Sequence, residues 1–128
     1  MRKMTFMLCV LWLVGMCLAV SAFAADREAI QANVDEVVAT VNEGADPTSI
    51  QANDYDPYVY IMEQDGNLVV HPELTGKNLK ELALPVYDAV MKGTEAGAWV
   101  DYEWKGEQKH AYVRMTECAL MVGSGYTE

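Results

Sequence analysis

A chain of 128 residues, 52% of them hydrophobic and with a net charge of −10, is long enough for one domain with its own core and too short for two. Its acidity repels polyanions and anionic membrane surfaces, which makes nucleic acid a poor partner.

Arg2 and Lys3 form a basic start, Met4 to Val20 is an apolar run of 17 residues, and Ala22-Phe23-Ala24 places small residues where a signal peptidase reads. Residues 1–24 are therefore predicted to be a secretory signal cut before Ala25, with residues 25–128 as a single periplasmic or secreted domain. The run falls just short of the ~20 residues that span a bilayer, so an uncleaved anchor in the inner membrane is the alternative. Without the leader the balance is 7 basic against 19 acidic groups, a net of −12. Cys9 and Cys17 leave with it, so no internal disulfide can form and Cys118 is expected as a buried small hydrophobe.

From Asp26 to Glu43, Ile30, Val34, Val37, Val38 and Val41 recur at spacings of three and four, which predicts a helix capped by Asp26 and Gly44. Short strands follow. Residues 58–62 (YVYIM) and 67–71 (NLVVH) flank an Asp-Gly turn and predict a hairpin that Pro72 ends. Leu79 to Lys92 predicts a second, shorter helix starting near Pro85, with Val86, Tyr87, Val90 and Met91 inward and Gly93 as its stop. Residues 97–104, 109–116 and 118–126 predict a three-stranded meander, the first two joined by a four-residue turn over Lys105 to Gln108. The expected fold is α+β: a single antiparallel sheet with helices on one face.

In order along the chain, Tyr58-Val59-Tyr60-Ile61, Asp65-Gly66-Asn67, His71-Pro72 and Gly76-Lys77-Asn78-Leu79 resemble the first half of a single Cache domain. Ala98-Trp99-Val100-Asp101-Tyr102-Glu103-Trp104, Lys109, Tyr112-Val113 and Val122-Gly123-Ser124-Gly125-Tyr126 resemble its second half. The resemblance implies a PAS-like fold, with a long N-terminal helix, a curved antiparallel sheet of about five strands and a short helix. It further implies an extracytoplasmic sensor whose sheet and covering loops hold a small organic acid or similar metabolite, on behalf of a membrane chemoreceptor or histidine kinase. No signalling module follows, so the form implied is stand-alone. The closing strand reads Glu117-Cys118-Ala119-Leu120, where members of the family often carry a tryptophan.

Alternation in the strands sorts the side chains that could meet a ligand. In 97–104, Ala98, Val100, Tyr102 and Trp104 oppose Trp99, Asp101 and Glu103; in 109–116, His110, Tyr112 and Arg114 oppose Lys109, Ala111 and Val113. On the implied fold, one face holding Tyr60, His71, Tyr102, Tyr112 and Arg114 would suit a small carboxylate, because phenols donate, rings exclude water and a guanidinium grips two oxygens. With Trp99, Trp104 and Lys109, these are the candidate ligand-binding residues. The bland readings are packing for the aromatic rings, an ion pair with a surface acid on a neighbouring strand for Arg114, and a solvated side chain for Lys109.

No catalytic residue, metal ligand or cofactor is assigned. A structural metal needs three or four ligands, and His71, His110 and Asp101 stand in no metal-binding motif. Gly-x-Ser-x-Gly and His-Glu-x-x-His are absent, and Gly76-Lys77-Asn78 reads as a turn rather than a phosphate loop. Two other readings remain open. One is a ligand-free structural module that forms a homodimer through the helix stripe at 30, 34, 37 and 41. The weaker one is a haem or metal sensor.

Overall fold

In the computed structural model, which describes residues 27–128, five strands form one antiparallel sheet in the order β2-β1-β5-β4-β3. The predicted leader of residues 1–24 and the Asp26 cap lie outside the described residues. Among these, no helix is long and apolar enough to cross a membrane.

Helix α1 occupies residues 27–42. Its valines have modest helix propensity, so packing of the apolar stripe has to hold it. Ile30, Val34, Val37 and Val38 are at most 1% exposed, and each such burial stabilises by ~1.5–3 kcal/mol. Gly44 ends the helix with φ of 107°, its N–H returning to the Val41 carbonyl. The stripe offered above as a dimer seam is consumed inside this chain, against Val59, Ile61, Tyr112 and Val122 of the sheet side.

Strands β1 (Tyr60–Met62) and β2 (Leu68–Val70) form the predicted hairpin around Gly66. Ile61 pairs with Val70 but Met62 pairs with Leu68, which leaves Val69 as an extra, bulged residue. The second helical segment divides into α2 (Leu79–Leu82) and α3 (Leu84–Val90). Asn78 caps α2 by accepting from Glu81 N–H. The break falls at Ala83, because Pro85 cannot donate a hydrogen bond to a continuing helix and instead begins a new one.

Strands β3 (Ala98–Trp104) and β4 (Glu107–Met115) are joined by two residues rather than the expected four. Lys105 and Gly106 both take positive φ, the geometry that matches the twist of a tight hairpin. Strand β5 (Met121–Thr127) pairs with β4 on one side and β1 on the other, closing the hairpin and the meander into one sheet. It starts three residues later than predicted, since Thr116 to Leu120 form the turn, with the Thr116 hydroxyl accepting from Leu120 N–H. Cys118 therefore sits on that turn and is exposed, contrary to the buried position expected for it.

Helices cover both faces of the sheet, not one. α1 packs with Ile61, Tyr112 and Val122. α2 and α3 pack with Met62, Val100, Val113 and Met121 on the opposite side. The Tyr87 hydroxyl of α3 donates to the Gln64 carbonyl and ties this second layer to the first hairpin.

Candidate functional site

A cavity of about 40 Å3 lies between the sheet and the α2–α3 layer. From the strands come Tyr60, Leu68, Tyr102, Trp104 and Lys109. The helices contribute Leu79, Val86 and Val90, while Tyr58, His71 and Leu74 come from the segments that flank the first hairpin. The bulge at Val69 resets the alternation of β2, so that Leu68 and His71, three residues apart, both reach this side. Tyr60 lies across β5 at Gly123, where even a methyl group would overlap its ring and hydroxyl. Glycine at 123 is thus the condition for the phenol to lie where it does.

The polar side chains bordering this space, phenols, an imidazole and an ammonium, can all donate, and the phenols can also accept. Tyr60 is buried, and its Oη makes no well-formed hydrogen bond, although the Tyr102 hydroxyl lies close enough to act on it. Such an atom costs ~1–3 kcal/mol unless something in the cavity satisfies it. Burial pushes the Tyr60 phenol well above its ordinary ionisation range, with the neighbouring Tyr102 adding to the effect. Burial likewise pushes Tyr102 up to about 12, with Tyr58 reinforcing it. Both phenols keep their protons at neutral pH.

His71 is held by its own loop. Its Nδ1 accepts from the N–H groups of Glu73 at 3.1 Å and Leu74 at 3.0 Å. The Thr75 hydroxyl closes the loop by accepting from His71 N–H and donating to the His71 carbonyl. With Nδ1 committed as an acceptor, the proton of the neutral ring is on Nε2, which leaves that nitrogen as a donor. Burial lowers the pKa of His71, partly offset by Glu73. Lys109 completes the set: its Nζ donates to Thr127 Oγ1 at 2.9 Å and retains two further donors.

Five of the eight residues singled out from sequence (Tyr60, His71, Tyr102, Trp104 and Lys109) line this cavity. Trp99, Tyr112 and Arg114 do not, and the single face expected to hold Tyr112 and Arg114 beside Tyr102 is corrected accordingly. Tyr102 pairs with Lys109 across the β3–β4 ladder, while Trp99 pairs with Tyr112, and directly paired residues share a face. Trp99 and Tyr112 pack on the α1 side, their ring centroids 5.6 Å apart, with the Arg27 guanidinium 4.0 Å above the Trp99 ring. Arg114 fastens α1 to the sheet, donating from Nη1 to Asp35 at 2.9 Å and from Nε to the Glu95 carbonyl at 2.8 Å. Its acid partner is on the helix, not on a neighbouring strand.

His110 pairs with Asp101 through Nδ1 and stacks beside Tyr126 at 5.2 Å between ring centroids. It does not join His71 at the cavity. Among the described residues no three or more His, Cys, Asp or Glu side chains gather in a geometry able to hold a metal ion.

Sequence reasoning omitted Tyr58, Leu68, Leu74 and Leu79 from the site. Tyr58 was within reach, because it stands two residues before Tyr60 in the same alternating run. Val86 and Val90 were recognised as inward-facing, but not as the roof of a cavity. Compared with models of known protein families and with curated proteins, the chain matches none.

Proposed function

We propose that this chain is an extracytoplasmic module that binds and senses a small organic acid without catalysing a reaction, on a PAS-like domain of the Cache type. The observation that carries the reading is the buried Tyr60 hydroxyl, which makes no well-formed hydrogen bond and faces a cavity whose other polar side chains can also donate. A carboxylate supplies acceptors and no donors, so it complements that set. The five-stranded antiparallel sheet, with α1 on one face and the cavity on the other, accords with the PAS-like arrangement that the resemblance implies. Secretion rests on the basic start, apolar run and Ala22-Phe23-Ala24 of the leader. A membrane receptor or histidine kinase is the partner that would read the occupied state.

A ligand selective for the native state raises the melting temperature by mass action, by ~2.7 kcal/mol of stability at one hundred times its Kd. A thermal-shift screen of carboxylates, amino acids and other small metabolites is expected to find a carboxylate that stabilises the protein. A screen in which no compound moves the melting temperature would remove the binding function.

A further inference from the structure

The two edges of the sheet are finished differently. At the β2 edge, the loop that follows the strand takes up its outward groups: Leu68 N–H donates to the Lys77 carbonyl, and the Leu68 carbonyl accepts from Gly76 N–H. At the opposite edge, β3 runs for seven residues, Ala98–Trp104, without a proline. The tight turn after it makes Trp104 and Glu107 a hydrogen-bonded pair. Alternation along the antiparallel ladder then turns the N–H and carbonyl groups of Trp99, Asp101 and Glu103 outward. The Gln108 carbonyl, opposite Glu103, accordingly points away from β3 and accepts from Glu128 N–H. Among the described residues, the outward groups of Trp99, Asp101 and Glu103 have no backbone partner. A long strand left in that state is a template for another chain.

We infer that the β3 edge docks an extended basic segment of a partner protein, which adds to the sheet as a further antiparallel strand. The inference is independent of what the cavity between the sheet and α3 holds.

Charge selects the occupant. Residues directly opposite one another on paired strands share a face, so an incoming strand meets the exposed carboxylates of Asp101 and Glu103 at alternate positions. Asp101 gives one oxygen to His110 and keeps the other. A groove of about 480 Å3 lies between this edge and α3, where Asp88, Asp101 and Glu103 outnumber Lys92 and Lys105. The chain as a whole carries −10. Lysine or arginine at every second position therefore complements the edge, while main-chain hydrogen bonds supply the register. A second copy of this chain fits worse. Antiparallel pairing centred on β3 sets Asp101 against the same residue of the copy, and like charges directly opposite destabilise a sheet.

The test is calorimetric titration of the full 128-residue chain with end-blocked peptides of about nine residues, enough to cover the edge. One alternates lysine and valine, a second has glutamate for lysine, and a third is the lysine peptide methylated on its lysine backbone nitrogens. The lysine–valine peptide is expected to bind one per chain, and the other two at least about tenfold more weakly. Glu103→Lys reverses an exposed charge, and Glu103→Pro deletes an outward N–H at a position where an edge strand tolerates proline. Both are expected to melt like the wild type and to weaken the lysine peptide about tenfold. Equal binding of the methylated peptide would overturn strand addition, and equal binding of the glutamate peptide would overturn the basic partner. A dimer in light scattering that Glu103→Pro turns into a monomer would give the edge to a second copy and overturn the inference. Binding of none of the peptides would overturn it too, while leaving the carboxylate reading to its own thermal-shift screen.

Discussion

His71 shows how a few local hydrogen bonds decide what a side chain can do. Two backbone N–H groups occupy Nδ1, so a second proton on the ring would have to displace them. Burial acts in the same direction and lowers its pKa below the ordinary 6.5. The unfolded chain therefore takes up that proton first. The stabilising contribution of His71 is complete above 6.5 and is lost as pH falls through its depressed native pKa. His110 has the opposite sign. Its hydrogen bond to Asp101 raises its pKa, so its contribution is present below 6.5 and is lost as pH rises through the raised value. An NMR titration of the two imidazoles is expected to give a midpoint below 6.5 for His71 and above 6.5 for His110. The reverse order would contradict both hydrogen-bonding arrangements. His71 was legible in the sequence as a histidine at a strand end beside a loop, but its tautomer depends on loop N–H positions that no residue pattern encodes.

At the level of elements, the sequence carried the alternation within each strand and lost some of the relations between strands. Trp99 was placed opposite Tyr102, and Lys109 opposite Tyr112, as the ladder has them. Yet Tyr102 and Tyr112 were expected to share a face. A turn of either two or four residues after Trp104 pairs Tyr102 with Lys109 or Ala111, so their separation could have been worked out from the hairpin alone. The bulge at Val69 is different in kind: one unpaired residue reverses the facing of all that follows, and neither glycine nor proline marks it. Helices on both faces were also signalled, by strands that lack polar alternation. Tyr60, Ile61 and Met62 are all buried, as are Ala111, Tyr112 and Val113.

The double layer changes what the α1 stripe means. Val34 and Val41 face this chain's own sheet, so Val34→Glu combined with Val41→Glu would bury two carboxylates without partners. Each is expected to cost on the order of 3–5 kcal/mol, enough together to abolish the cooperative melting transition. Circular dichroism melting would detect this directly. A double variant that melts like the wild type would mean that the stripe does not pack where it is described.

Across the whole molecule, the sheet divides the protein into two cores with separate tasks. On the α1 side the charged and aromatic groups are spent on one another: Arg114 on Asp35, and Arg27 over Trp99. On the α2–α3 side the packing leaves a space with a buried phenol that makes no well-formed hydrogen bond. Such an imbalance is costly for a scaffold and useful for a receptor, since a guest that satisfies the phenol gains what the empty protein lacks. The most direct measurement is a high-resolution crystal structure of the protein purified from its native host. The account predicts density for a small carboxylate between the sheet and α3, with one oxygen within hydrogen-bond distance of Tyr60 Oη. A cavity closed by its own side chains, or holding only ordered water bonded to Tyr60, would contradict it.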